Sequence, residues 1–319
     1  MLMDGIKRFA KAAERDNMSR ELLNCIVNKE HHRYRTDHPE LAGLAEEFCR
    51  SGLCPKERMT RRFELLSKAE TPVLLPEEKI CFMRTVKVIP DCFTEEEWKE
   101  IKKDHFIHES GYLSNLSPNY ERVIASGLLA EREKADPYGQ RIIDSVLSLT
   151  QRYRDLALKE GKNELAAVLE RVPKYGATSF YEALQSFRII HYCLWLEGNY
   201  HNTTGRFDKY MYPYLKADMD KGLYNRESAL EMVEDFFISF NKDSDLYTGV
   251  QQGDNGQSMV LGGVDENGND VFNLLSELCL EASRNLLLID PKINLRVNKT
   301  TPLKIYELGT ELTKAGLGI

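Results

Sequence analysis

The reading turns on SFYEALQSFRIIHYCLWLEGNYHNTTGRFDKYMYPYL, Ser179–Leu215. Ser179 and Glu182 have the S-x-x-E spacing of a capping box, which predicts a helix starting at Phe180. Its body, Phe180 to Leu196, is apolar on nearly every side, the pattern of a helix buried all round. At Glu197 the character changes, and Gly198, Asn199, Tyr200, His201, Asn202, Thr203, Thr204, Gly205, Arg206, Phe207 and Asp208 follow. A buried helix that delivers hydrogen-bonding side chains in a cluster is one way to build a pocket wall. A polar loop capping a core helix fits the same residues.

Working outward, the chain has 319 residues, 42% hydrophobic and 29% charged, enough for a sizeable core. A net charge of −7 argues against nucleic acid or an anionic membrane as a partner. The seven cysteines are odd in number and scattered, and Met1–Arg20 is charged and amphipathic rather than signal-like. Free thiols in a reducing cytoplasm are the expectation. The longest apolar run, Ile189–Leu196, is far too short to span a bilayer.

Short charged helices are expected over residues 1 to 70, with Ile6, Phe9, Ala10 and Ala13 in helical spacing, and Leu41, Leu44, Ala45 and Phe48 likewise. His31, His32 and His38 read as members of an exposed loop without converging metal ligands. Cys49 and Cys54 lack a second pair at metal-site spacing. Ile80–Val88 reads as a short strand. Thr94 and Glu97 give a capping box and a helix to about Asp104, followed by a polar loop, His105–Asn119. Tyr138–Gly161 is the clearest amphipathic helix, and Glu164–Arg171 a second. Asn225 should cap another, with Leu230, Val233, Phe237 and Phe240 on one face. Asp265–Asp270 resembles a calcium loop but lacks Gly at position six and Glu at position twelve, so a turn before a helix over Phe272–Ala282 is expected. Lys292–Asn298 alternates as a strand. Thr301 should cap a helix with Pro302 at its first position, stopped by Gly316. Strand, helix and glycine turn open a βαβ unit whose next strand would begin near Leu317.

No G-x-S-x-G, P-loop, G-x-G-x-x-G or H-E-x-x-H occurs. Two polar segments, Ser114–Asn119 and Asn199–Asp208, could face one pocket. His201, between a buried helix and a glycine turn, reads either as a substrate-binding or proton-transferring group or as a satisfied structural histidine. Arg206 could bind a carboxylate, but beside Asp208 and before aromatics a structural ion pair is the expectation.

The Ser179–Leu215 stretch resembles glycyl radical enzymes, in the branch of the diol-dehydratase-type lyases rather than pyruvate formate-lyase itself. F-x-E-A-L-Q is Phe180 to Gln185, the N-G-H-like turn is Asn199 to His201, and G-R-F-D-x-Y-x-Y-P runs from Gly205 to Pro213. LSPNYERVIASGL (Leu116–Leu128), LERVP (Leu169–Pro173), LGGVDENGND (Leu261–Asp270), INLRVNKTTP (Ile293–Pro302) and the closing LTKAGLGI fall in the family's order. The resemblance covers the chain from about Glu57. It implies a predominantly helical α/β protein, the N-terminal portion of a ten-stranded α/β barrel, with 1–319 one partial pyruvate formate-lyase-type domain. In complete members a cysteine loop in a C-V-E setting forms a thiyl radical, and a glycine near an R-V-x-G-Y motif stores it. An S-adenosylmethionine iron–sulfur activase installs the radical, and complete members are typically homodimers.

Neither radical-bearing motif occurs in this sequence. The resemblance therefore implies no catalytic and no metal-ligating residue in the chain itself. Asn115, His201, Asn202 and Thr204 are the expected polar contacts to a small-molecule substrate. Asn115 stands where dehydratase-type members carry a substrate-binding histidine; it can hydrogen-bond a hydroxyl or carboxylate but not transfer a proton at neutral pH. The expected role is an N-terminal fragment of a radical lyase, inactive alone. The alternative is a non-enzymatic remnant or partner subunit that binds a small ligand or a full-length relative.

Overall fold

The structure is a computed structural model and describes residues 20–104, 116–199, 201–243, 256–288 and 290–317. Helices α1 (Arg20–Val27), α2 (Leu44–Arg50), α3 (Pro55–Ala69) and α4 (Glu95–Asp104) come first, with two 3-10 turns, Glu30–Tyr34 and Pro39–Leu41, between α1 and α2. Then follow α5 (Tyr120–Ser126), α6 (Leu128–Arg132), α7 (Pro137–Lys159), α8 (Asn163–Arg171) and α9 (Phe180–Leu196). The sheet enters last: β1 (Gly205–Arg206), α10 (Phe207–Asp220), α11 (Arg226–Ser239), β2 (Ser258–Gly262), α12 (Leu274–Leu286), β3 (Lys292–Arg296) and α13 (Leu303–Lys314). The strands are parallel in the order β1-β2-β3, with Gly205 opposite Met259 and Ser258 opposite Lys292.

Side-chain caps start several of these helices. Asp136 accepts from Gly139 N ahead of α7, with Pro137 in the first turn. Asn225 with Ser228, and Asn273 with Ser276, form reciprocal boxes before α11 and α12. Thr94 and Glu97 do the same before α4. At α9 only half of the expected box forms. Ser179 Oγ accepts from Glu182 N, but the Glu182 carboxylate accepts from Thr178 and Arg171 instead. Thr301 does not cap α13; its hydroxyl accepts from Asn298 N and tightens the turn.

Helix α9 is the axis of the core. Phe187 stacks on Tyr120 at 4.1 Å between ring centroids and meets Phe236 edge-on at 5.2 Å. The expected strand at Ile80–Val88 does not form. Ile80–Val86 lies buried, its backbone broken by a positive φ of +87° at Phe82, and makes one bridge, Thr36 to Val86. Its backbone groups must still be satisfied once removed from water, and side chains take the place of neighbouring strands. Asp235 Oδ2 accepts from Lys79 N and Ile80 N, and Gln185 Oε1 from Cys81 N. The Tyr153 hydroxyl pairs with Met83 at 3.2 Å, and Asp243 Oδ1 accepts from Arg84 N. Glu70 accepts from Thr85 N and Val86 N. Burial alone would raise Asp243, but Arg188 and the Arg84 amide outweigh it and hold the carboxyl below its usual value.

His31, expected in an exposed loop, is buried at 1% exposure in the first 3-10 turn, packed against α1 with Nδ1 3.5 Å from Cys25 O. His38 is partly covered, its Nδ1 2.7 Å from Glu40 Oε1. The Asp265 carboxylate closes on Asn267 N and Asn269 N, making the expected turn. The helical spacing read at Ile6–Ala13 lies outside the described residues. Among the described residues no helix is long and apolar enough to cross a membrane.

Candidate functional site

The connection from α9 to β1 is held at both ends. At its start, Gly198 N donates to Trp195 O and Asn199 N to Leu194 O, the paired bonds of a glycine-terminated helix end, with Gly198 at φ +85°. Arg62, wholly buried, donates from Nη2 to the carbonyl and the carboxylate of Glu197 at 2.9 and 2.8 Å. Burial raises the Glu197 carboxyl, and Arg62 offsets part of that rise. At the other end, Thr204 N donates to Ser258 O at 2.8 Å, and the Tyr210 hydroxyl donates to Thr204 O at 2.7 Å.

Between these anchors lie the residues that the sequence singled out. His201 has φ +56°, a left-handed backbone uncommon for a residue with a Cβ. Its ring lies against Gly256. Asn202 is fully buried; its Nδ2 donates to Asn199 O at 3.1 Å, while its Oδ1 has no hydrogen-bond partner among the described residues. Thr204 is also buried, its hydroxyl 3.4 Å from Gly205 O. Asn115 lies outside the described residues.

The two polar segments do meet where both are described. Leu116 O accepts from Thr203 N at 2.7 Å and from Thr203 Oγ1 at 3.1 Å. Behind them runs a buried chain that the sequence reading missed: the Tyr120 hydroxyl to His191 Nδ1 at 2.7 Å, His191 Nε2 to Gln257 Oε1 at 2.8 Å, and Gln257 Nε2 to Phe240 O at 2.9 Å. Its one signal in the sequence was a histidine inside the longest apolar run. Arg62 left no such signal, because its partner lies 135 residues away.

The expected ion pair between Arg206 and Asp208 does not form. Arg206 Nη2 donates to Gly262 O and Val264 O, while Asp208 Oδ2 accepts from Gly262 N and Ser276 Oγ, both at 2.6 Å. Arg206 thus ties β1 to the end of β2, and Asp208 ties the first turn of α10 to the end of β2 and to α12. Asp208 Oδ1 is buried without a partner among the described residues, and burial raises this carboxyl above its usual value. No group of three or more His, Cys, Asp and Glu able to hold a metal occurs among the described residues. Two surface clefts, of about 520 and 480 Å³, lie between α3 and α7 and beside the Pro39–Leu41 turn, away from residues 199–204.

This parallel sheet wrapped in helices is the architecture of the glycyl radical enzymes. The profile of the pyruvate formate lyase-like family matches residues 92–319, and the chain belongs to that family. It is 28% identical over 215 residues to (2S)-3-sulfopropanediol dehydratase of Klebsiella oxytoca, covering 65% of this chain and 26% of the relative. It is 23% identical over 235 residues to trans-4-hydroxy-L-proline dehydratase of Clostridioides difficile, covering 69% and 29%. A solved structure concerned with 1,2-propanediol dehydration in Roseburia inulinivorans superposes with a TM-score of 0.75 at 22% identity, over 96% of this chain and 50% of that one. The B12-independent glycerol dehydratase of Clostridium butyricum gives 0.74 at 20%, over 93% and 50%. The chain thus spans a quarter to a half of the length of the relatives it matches. The fold is α/β and predominantly helical, the N-terminal portion of a glycyl radical enzyme barrel.

Proposed function

We propose that the chain supplies the N-terminal half-barrel of a glycyl radical dehydratase or lyase, and that the 199–204 connection forms part of its substrate-pocket wall. Residues 1–319 act as one partial pyruvate formate-lyase-type domain in the cytoplasm. The complete assembly is a homodimer, charged with its glycyl radical by an S-adenosylmethionine iron–sulfur activase. The radical chemistry belongs to groups outside this chain. The chain's own task is to bind and orient a small hydroxylated substrate and to shield it from water.

One observation carries this reading: Asn202 Oδ1 is buried and, among the described residues, unpartnered beside the strained His201. Leaving a buried acceptor unsatisfied costs about 1–3 kcal/mol, so its retention points to a donor that arrives with the ligand. A hydroxyl or ammonium group meets that need. The Thr204 hydroxyl and His201 supply further contacts, and Asn115 is the remaining candidate contact.

The test is Asn202→Leu. A residue kept for the ligand gives a variant within about 1 kcal/mol of the wild type, because removing the orphaned acceptor offsets the lost Nδ2 bond to Asn199 O, while binding of glycerol or trans-4-hydroxy-L-proline is lost. A variant that unfolds more easily and still binds both probes as the wild type does would refute the assignment.

A further inference from the structure

We propose that His191 is a positioning residue for the 199–204 connection: through Tyr120 and Gln257 it fixes the two chain segments between which that connection is held. The inference rests on the pocket-wall reading above.

The proton positions follow from the partners. Gln257 Nε2 donates to Phe240 O, which turns Oε1 toward His191. A carbonyl oxygen only accepts, so His191 Nε2 carries the proton. Nδ1 of the neutral ring is then bare and accepts from the Tyr120 hydroxyl. One tautomer satisfies every link. The ring is wholly buried, and burial lowers its pKa to about 4, so it stays neutral at physiological pH.

Each arm ends at the candidate site. On the Tyr120 side the chain leads back to Leu116, whose carbonyl holds Thr203. On the Gln257 side, Gly256 carries the His201 ring, and Ser258 O holds Thr204 N. Packing alone does not call for histidine here. Phe187 and Phe240 surround the ring, with centroids at 5.4 and 5.0 Å, and phenylalanine would serve such a setting. The two nitrogens are needed for the two arms.

The experiment uses the full, uniformly labelled chain, reading the His201 ring resonances and the Thr203 amide by NMR, the unfolding midpoint, and glycerol binding. His191→Phe removes both arms. His191→Gln keeps a donor toward Gln257, and His191→Asn keeps an acceptor toward Tyr120. Tyr120→Phe removes one hydroxyl and is the variant to rely on if His191→Phe does not fold. The expected result is displaced His201 resonances in His191→Phe, restored in His191→Gln but not in His191→Asn. In Tyr120→Phe the Thr203 amide shifts and glycerol affinity falls by about tenfold. Identical His201 spectra in the Gln and Asn variants, or an unmoved Thr203 amide in Tyr120→Phe, would overturn the proposal. Failure of the wild type to bind glycerol would count against the pocket reading instead, while the His201 and Thr203 spectra still decide the role of His191.

Discussion

The ring of His201 lies so close over Gly256 that a Cβ at Gly256 would sit 2.4 Å from its Cδ2 and 2.6 Å from its Cγ. Both residues have positive φ, +56° and +61°. Gly256→Ala therefore forces the imidazole aside and strains the backbone, at about 1 kcal/mol or more. The expected outcome is a small loss of stability in chemical denaturation, with a large change in the His201 ring resonances. Unchanged resonances would show that the ring is not seated on Gly256.

Arg188 and Asp243 form a wholly buried pair, Nη2 to Oδ2 at 2.5 Å, and both also hold the Phe82–Arg84 backbone. Removing one partner strands a buried charge. Asp243→Ala should cost about 3–5 kcal/mol in urea unfolding. The double variant Arg188→Met/Asp243→Ala should cost less than the sum of the single changes, since neither charge is then left alone. Additive losses would mean that the pair is not coupled.

The corner between α5 and α6 crosses the turn before α9 at two glycines. A Cβ on Gly176 would lie 2.1 Å from Ala125 O, and one on Gly127 would lie 2.4 Å from the Tyr175 carbonyl carbon. Gly176→Ala should destabilise by about 3 kcal/mol or more, read from the unfolding midpoint. Gly52 has positive φ but open space around it, so Gly52→Ala should cost only about 1 kcal/mol. Equal losses at the two sites would remove the steric explanation.

His31 is buried, and desolvation, with His32 and Arg35 adding to it, lowers its pKa to about 4 from the unfolded value of 6.5. Its folded form binds fewer protons than the unfolded form between these values. The stability tied to the neutral ring is therefore present above about pH 6.5 and is lost as pH falls toward 4, on the order of 3 kcal/mol. Asp235, raised to about 6 chiefly by burial, works the other way and favours the fold as pH falls. His31→Asn should thus lose less stability than the wild type on acidification over this window. Parallel pH profiles would show that His31 titrates normally.

Much of the fold was legible because it is written locally. Asn225 caps where its side chain predicts, and the α7 and α9 patterns give length and burial directly. The Ile80–Val88 run was misread because its β-like composition is satisfied by Asp235, Gln185, Tyr153 and Asp243, partners far away in sequence. His31 was misread because its polar neighbours mimic a loop while α1 covers it. At the site, the meeting of the 116–119 and 199–204 segments could be anticipated. The bonds that fix it, Arg62 to Glu197 and Tyr120 through His191 to Gln257, arise only from tertiary packing.

The most direct test of the pocket-wall claim is an NMR titration of the labelled chain with glycerol, 1,2-propanediol and trans-4-hydroxy-L-proline, following the Asn202 side-chain amide with the His201 ring and the Thr204 amide. Saturable shifts at these three residues are expected with at least one compound, and none in Asn202→Leu. Shifts that are absent with all three compounds, or that map to the clefts beside α3 or the Pro39–Leu41 turn, would contradict it.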